Sequence, residues 1–181
     1  MCIRVHPWPT WQSRRVLSLD SPRWAELAQA YGSAEDVPRL LAALGATPDE
    51  GDRAQLWFAL WRLLCHEERV YTASYAAAPH VVALLLVSGG RLALRERAQA
   101  AQLVACIEAY RHRGGGPPVP ADLLAAYAAA VERLPAVVCA SAAEPWDAEV
   151  AQVMASALLV AKRQPRLGMA LLGLRAEGQE G

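Results

Sequence analysis

Hydrophobic residues recur every three to four positions along most of this chain, a spacing that lines one face of an α-helix. The stripe is most regular near the carboxyl end, where Val150, Val153 and Met154 are followed by Ala157 and Leu158. Similar spacing predicts about eight helices, over residues 22–31, 33–44, 52–64, 73–87, 92–113, 121–140, 147–163 and 167–174. β-Branched runs bounded by turn signals, which would indicate strands, are absent from the sequence. The pattern therefore predicts an all-α fold.

Proline and glycine mark the ends of several predicted helices. Ser21-Pro22 and Thr47-Pro48 each combine an N-capping hydroxyl with a proline that suits the first helical turn. Gly32 and Gly45 follow apolar stripes and predict helix ends. The stripe of the first helix consists of Trp24, Leu27, Ala28 and Tyr31. Residues 114–120 are three glycines followed by a proline-rich run, which predicts a loop inserted at the surface.

The third predicted helix is apolar on nearly every side. Residues 56–64 include Trp57, Phe58, Trp61 and several leucines, with one charged residue, Arg62. A helix that is hydrophobic all round is normally buried between other helices. We therefore expect this helix to form the centre of the domain.

An internal sequence repeat, called the internal echo below, predicts how the helices are arranged. Residues 79–85 resemble residues 38–44, forty-one positions earlier, and Pro135 precedes a third aliphatic pair. Repeats of about forty residues are typical of stacked HEAT-type helical hairpins. We expect a single domain over residues 1–181, forming a right-handed α-α superhelix of about four such hairpins. Residues 1–19, with Trp8 and Trp11, are expected to be irregular, and residues 175–181 to form a frayed tail.

Composition and charge exclude several classes of protein. The chain of 181 residues is 54% hydrophobic with a single Phe, and its 18 basic and 18 acidic residues give no net charge. A protein that binds nucleic acid by overall charge would be basic, so no nucleic-acid partner is expected. The first residues lack a signal-peptide pattern, and uncharged apolar runs are too short or too interrupted to span a membrane. These features favour a cytoplasmic protein without a membrane partner.

Chemically versatile residues concentrate after the third helix, where Cys65, His66, Glu67, Glu68 and Tyr71 follow one another closely. A Cys–His pair suggests nucleophilic catalysis, but adjacent helical residues point about 100° apart and do not face each other. A metal site would need a third protein ligand, and the four widely spaced cysteines offer no clustered ligand pattern. We therefore expect no catalytic residue, metal or other cofactor here.

Acidic residues instead suggest a contact edge. Glu35 and Asp36 follow one predicted helix, and Glu67 and Glu68 follow another, so stacked hairpins would place both pairs along one edge. The residues predicted to contact a partner are His66, Glu67, Glu68, Tyr71, Glu35 and Asp36. An acidic edge suits a basic partner cleft, although charged loops kept for solubility would give the same pattern.

Several runs resemble a known family when they are taken together. They are residues 19–24, 30–33 and 63–66, and residues 70–80 with the sequence VYTASYAAAPH. The combination resembles a family of uncharacterised bacterial HEAT-like proteins with the pattern CHQG-x-VY-x-AS-x-AA-x-PH. Glu67-Glu68 stand where that pattern has Gln-Gly. The resemblance implies a helical-repeat protein similar to immunity proteins that neutralise polymorphic bacterial toxins.

The sequence therefore predicts a protein-binding immunity protein that occludes the active cleft of a cognate toxin, and not an enzyme. Two alternatives stay open at this point. One is a HEAT-like enzyme that processes nucleic acid, and the other is a general scaffold or homodimer that associates through Trp8 and Trp11. The oligomeric state is not predicted.

Overall fold

α-Helices make up most of the structure, which confirms the predicted all-α class. A computed structural model describes residues 16–87 and 91–177, the last four of these by their backbone alone. Two short β-hairpins interrupt the helices in the first half of the chain. The elements are a 3-10 helix Pro22–Glu26, β1 Ala28–Gln29, β2 Gly32–Ser33, α1 Val37–Ala46, α2 Glu50–Leu64, β3 Cys65–His66, β4 Arg69–Val70, α3 Thr72–Val87, α4 Leu94–His112, α5 Ala121–Glu132, α6 Leu134–Ala140, α7 Ala148–Ala161 and α8 Pro165–Glu177.

The predicted first helix over residues 22–31 is wrong. Ser21 does cap a helical turn, since its hydroxyl accepts a hydrogen bond from the Arg23 N–H, but that 3-10 helix ends at Glu26. The chain then forms the β1–β2 hairpin, in which Ala28 pairs with Ser33. The backbone N–H of Ala30 donates to the carbonyl of Leu63 in α2, so this segment is held by tertiary hydrogen bonds and not by a helical ladder.

The buried centre of the domain is α3, so the prediction that α2 occupies this place is wrong. Residues 73–79 of α3 are all buried, and the helix packs on α1, α2, α4, α5 and α6. On α2 the buried residues Arg53, Trp57, Leu60 and Leu64 form one face. Phe58 on the opposite side is 65% exposed. The small side chains of α3 allow close approach by its neighbours, whereas α2 begins with a charged turn and exposes Phe58.

A buried ion pair connects α2 to α4. The guanidinium of Arg53 donates to both carboxylate oxygens of Glu96 at 2.8 and 3.0 Å, and both side chains are less than a tenth exposed. The indole N–H of Trp57 donates to the same carboxylate at 2.9 Å. Arg53 also donates to the carbonyl of Pro48. These partners satisfy charges that would be costly to bury alone.

The stretch predicted as one helix over residues 121–140 is two helices, α5 and α6. The break falls at Arg133, just before Pro135, whose ring has no N–H and clashes with the carbonyl of the residue four positions earlier. In the described part of the chain this stretch alone is long and apolar enough to cross a membrane, with a mean hydropathy of 1.6. Leu123 and Tyr127 are buried in the core, and α5 packs on α3, which is typical of a core helix in a soluble protein.

The three prolines of the internal echo occupy different positions in their helices. Pro38 and Pro135 lie in the first turns of α1 and α6, whereas Pro79 lies in the middle of α3. The echo therefore does not mark equivalent points of successive hairpins.

Parts of the predicted chain ends lie outside the described residues. These are residues 1–15, with Trp8 and Trp11, and residues 178–181 of the predicted tail. Residues 16–19 form neither helix nor strand, and residues 175–177 complete α8.

Candidate protein-binding surface

The turn predicted to contact a partner is the tip of a β-hairpin. In β3 and β4, Cys65 pairs with Val70 and His66 with Arg69, which leaves Glu67 and Glu68 as a two-residue turn. Both glutamates have positive φ angles, 48° and 59°. Such hairpin turns normally carry Asn-Gly, because other side chains are strained in the left-handed region. The two glutamates are therefore held in an unfavourable conformation at an exposed tip.

The glycine loop at 114–116 supports this hairpin from behind. The N–H of Val70 donates to the carbonyl of Gly115 at 2.8 Å. A Cβ on Gly116 would lie 2.5 Å from Val70 Cγ2, and one on Gly115 would lie 2.5 Å from the carbonyl oxygen of Glu68. Tyr75 of α3 donates its hydroxyl to the Pro117 carbonyl at 2.7 Å. The predicted surface loop is confirmed, and its glycines pack closely against the hairpin.

The β1–β2 hairpin brings Tyr31 to the same place. Its backbone is tied to the rest of the fold by the Ala30–Leu63 hydrogen bond and by the bond from Ala28 N–H to Thr72 Oγ1 at 2.8 Å. The Tyr31 hydroxyl lies 3.4 Å from His66 Nε2, and the two ring centres are 5.5 Å apart. Two segments distant in sequence thus meet at the β3–β4 hairpin.

Arg62 of α2 joins the rings into one surface. Its Nη2 donates to the Tyr31 hydroxyl at 3.0 Å. The guanidinium carbon lies 5.4 Å from the centre of the Tyr31 ring and 5.9 Å from that of Phe58. Both distances are in the range of cation–π attraction. We call this surface the hairpin face; it consists of Tyr31, Phe58, Arg62, His66 and Glu67.

The hairpin face is aromatic and open to solvent. Tyr31 is 55% and Phe58 65% exposed, although large apolar side chains are usually buried. The charges around it are mixed, since Glu67 lies 3.8 Å from His66 and Glu68 lies 3.6 Å from Arg113. An exposed tyrosine, phenylalanine and arginine in contact resemble the residues that contribute most energy to protein–protein interfaces.

The structure divides the predicted contact residues into two groups. His66 and Glu67 belong to the hairpin face, Glu68 lies beside them, and Tyr71 is half-buried at the end of the hairpin, where burial raises the pKa of its hydroxyl. The acidic pair lies elsewhere. Glu35 lines a groove with Trp24 and Pro38, and Asp36 precedes α1 without capping it.

Sequence reasoning missed Tyr31, Phe58 and Arg62. The hydrophobic pattern places Tyr31 in the apolar stripe of a helix that ends at Glu26 in the structure, and it places Phe58 and Arg62 on a helix that is expected to be buried. One signal was available, because the single Phe of the chain stands four residues before an arginine, on the same helix face.

The surroundings of Cys65 affect the chemistry of its thiol, and the grouping of ligating side chains bears on metal binding. Burial raises the pKa of the Cys65 thiol to about 12, and the nearby Glu68 carboxylate adds to this effect. A protonated, half-buried thiol is a poor nucleophile at neutral pH. Within the described residues, no three His, Cys, Asp or Glu side chains are grouped so that they could hold a metal ion.

Comparison of the chain with protein-family models, with curated proteins and with solved structures finds no match. The resemblance to the HEAT-like family therefore stays a prediction from the quoted motifs.

Proposed function

We propose that this protein acts by binding another protein through the hairpin face. The observation that carries the proposal is the contact of Arg62 with two exposed aromatic rings, Tyr31 and Phe58. Tyrosine and arginine are enriched among the residues that contribute most to interface energies, and side chains already held by contacts with one another have less conformational entropy to lose on binding.

The strained turn supports the same proposal. Two glutamates with positive φ persist where Asn-Gly would relieve the strain. Backbone strain tends to be retained where the strained residues have a function, and an exposed hairpin tip is suited to contact. The glycine loop packs closely behind the hairpin and supports the tip that would meet a partner.

We propose that the biological role is that of a cytoplasmic immunity protein, which covers the active cleft of a cognate toxin without itself catalysing a reaction. The helices α1 and α2, α3 and α4, and α7 and α8 pack on one another, as units of a short HEAT-type right-handed superhelix would. Because the charges around the hairpin face are mixed, the aromatic rings, and not an acidic edge, would make the main contacts with the toxin. Glu67 and Glu68 would then contact basic groups at the margin of the cleft.

Affinity capture with matched variants tests the proposal. The tagged full chain is used to capture proteins from the host, alongside a Phe58→Ala/Arg62→Ala variant and an Arg39→Ala control on the exposed side of α1. We expect one partner that binds the native chain and the control but is lost from the double variant. Because Phe58 and Arg62 are exposed, the double variant should keep its circular-dichroism spectrum.

An inhibition assay tests the immunity role separately. If the captured partner is toxic when expressed alone, an equimolar amount of the native chain should block its activity, and the double variant should not. A partner retained equally by the double variant would contradict the assignment of the hairpin face. A partner whose activity is unchanged by the native chain would contradict the immunity role.

A further inference from the structure

A cationic cleft lies between the end of α4 and the start of α8. Its volume is about 910 Å³. Arg113 lines one part of it, and Arg163 and Arg166 line another. Ala109 and Met169 contribute apolar wall. The cleft is therefore both positively charged and large enough for a small organic ligand.

Arg163 occupies a backbone position that normally belongs to glycine. Its φ is 62°, and it follows the last turn of α7. The next residue closes that helix end, since the N–H of Gln164 donates to the Leu159 carbonyl at 2.9 Å. Glycine is preferred at this point because it has no Cβ to strain the left-handed conformation. The chain instead carries a guanidinium there, at the side of the cleft.

Close packing of α8 fixes its amino end beside Arg163. A Cβ on Gly168 would lie 2.7 Å from Val160 Cγ2 and 2.9 Å from the Ser156 carbonyl oxygen, so glycine allows α8 to approach α7 closely. The first helical hydrogen bond of α8 runs from Gly168 N–H to the Gln164 carbonyl at 3.0 Å. The N–H groups of Arg166 and Leu167 precede it and, with the helix dipole, favour an anion.

The charges of the cleft are only partly balanced. Arg113 lies 3.6 Å from Glu68, and His112, which also lines the cleft, lies 2.9 Å from Glu108. Among the described residues, no carboxylate lies within ion-pair distance of Arg163 or Arg166. These two guanidinium groups are therefore the ones available to an anionic ligand.

We propose that this cleft binds a small molecule that carries a polyphosphate group, such as a nucleoside di- or triphosphate. Arginine forms paired hydrogen bonds with phosphate oxygens. Arg163 and Arg166, which have no carboxylate partner among the described residues, lie beside a helix N-terminus and match an anion with several charges. The apolar wall at Ala109 and Met169 offers a contact for the uncharged part of the ligand. The volume is that of a small-ligand site, whereas an acidic protein would need a much larger contact area.

Isothermal titration calorimetry with the full chain tests the proposal. The probes are inorganic tripolyphosphate and ATP, without magnesium and at low salt, because screening weakens charge attraction. We expect binding of one molecule per chain. Arg163→Gly should keep or raise the stability, since glycine fits the left-handed backbone, yet it should weaken binding at least about tenfold. Arg166→Gln should weaken it similarly.

Two controls separate this site from the hairpin face. Arg39→Gln removes an exposed arginine from a different groove and should leave the affinity unchanged. Phe58→Ala/Arg62→Ala should also bind both probes normally, so the two proposals can fail independently. Equal affinity of the native chain and Arg163→Gly would overturn the inference, as would the absence of binding by the native chain. Tighter binding of a long oligo(A) RNA than of ATP would also overturn it, by indicating a nucleic-acid partner.

Discussion

At the scale of single residues, the turn at Glu67 and Glu68 lowers the stability of the fold but places two carboxylates at the surface. Their φ angles of 48° and 59° place both in the left-handed region, which costs about 1–2 kcal/mol for each residue with a Cβ. Replacement by the turn sequence Asn-Gly, as Glu67→Asn with Glu68→Gly, should raise the free energy of unfolding by about 2 kcal/mol. Urea denaturation measures this change.

The control for the turn is the isosteric pair Glu67→Gln with Glu68→Gln. It removes both charges but keeps the strained backbone, so its stability should stay close to that of the native chain. If this pair stabilised the protein as much as Asn-Gly, charge and not backbone strain would be the cause. Both double variants should weaken the capture of a partner if the carboxylates make contacts.

The pair of Arg53 and Glu96 shows how burial determines the effect of an ion pair on the free energy of unfolding. Glu96→Ala would leave the Arg53 guanidinium buried without its carboxylate partner, and should lower the free energy of unfolding by about 3–5 kcal/mol. The adjacent Arg95 is a natural control. Its side chain is 67% exposed and pairs with Asp147 and Glu149 on the surface, so Arg95→Ala should cost less than about 1 kcal/mol. Similar losses in the two variants, measured in urea, would contradict this account.

At the scale of elements, the glycine loop and the β3–β4 hairpin form one packed unit. Gly116→Ala would place a Cβ 2.5 Å from Val70 Cγ2 and 2.6 Å from the Val70 carbonyl oxygen, so backbone must move. We expect a loss of about 1–3 kcal/mol, as in other overpacked positions. Gly45→Ala is the matched control, because no atom lies within 4 Å of its Cβ and alanine favours the helix by about 0.5–1 kcal/mol.

Thermal unfolding followed by circular dichroism compares these two glycines. The melting temperature should fall for Gly116→Ala and rise slightly for Gly45→Ala. A tolerated Gly116→Ala would show that the loop is free to shift and does not support the hairpin. Partner capture by Gly116→Ala should also weaken, since the hairpin face depends on the position of β4.

The elements also show what the sequence can predict. Helices whose stripes end at clear signals are confirmed, as for α3 before the Ser88-Gly89-Gly90 run and for α7 after Asp147. The first helix is not, because the N–H groups of Ala28 and Ala30 donate to the Thr72 hydroxyl and the Leu63 carbonyl, which are far away in the sequence. A local pattern cannot reveal a tertiary partner. His66 and Glu67 could be predicted at the candidate site because they are neighbours in the sequence. Tyr31 could not, because only tertiary contacts bring it there.

At the scale of the whole molecule, the helix at the centre carries no Asp, Glu, Lys or Arg. The apolar run of α2 is confined to residues 56–64, and this helix lies at the side and exposes Phe58, while the alanine-rich α3 lies at the centre. Close packing around a central helix is limited by side-chain size as well as by polarity, so small residues serve there. The exposed aromatic residue left on α2 is then free to take part in binding.

His80 connects the central helix α3 to the start of the described chain, and we expect it to make the stability of the fold depend on pH. Its Nε2 lies 2.8 Å from the Leu17 carbonyl oxygen, and its ring packs on Trp24. Burial lowers the pKa of His80 below its ordinary value of 6.5, although the hydrogen bond to Leu17 opposes this shift. The unfolded chain therefore takes up a proton before the folded protein does. Stability should be greatest above pH 6.5 and should decrease as the pH falls below it.

Urea denaturation at pH 7.5, 6.5 and 5.5 tests this dependence. The native chain should lose unfolding free energy over the lower interval, and His80→Gln, which keeps an amide able to donate to Leu17, should lose less. The lowered pKa of Glu108 has its effect only at more acidic pH: burial raises this pKa, but hydrogen bonds from Arg111 and Tyr127 bring it below the ordinary value of 4.5. The contribution of Glu108 to the stability is present above pH 4.5 and is lost as the pH falls further, below the range of this experiment. If His80→Gln lost as much unfolding free energy between pH 6.5 and 5.5 as the native chain does, another group would cause the pH dependence.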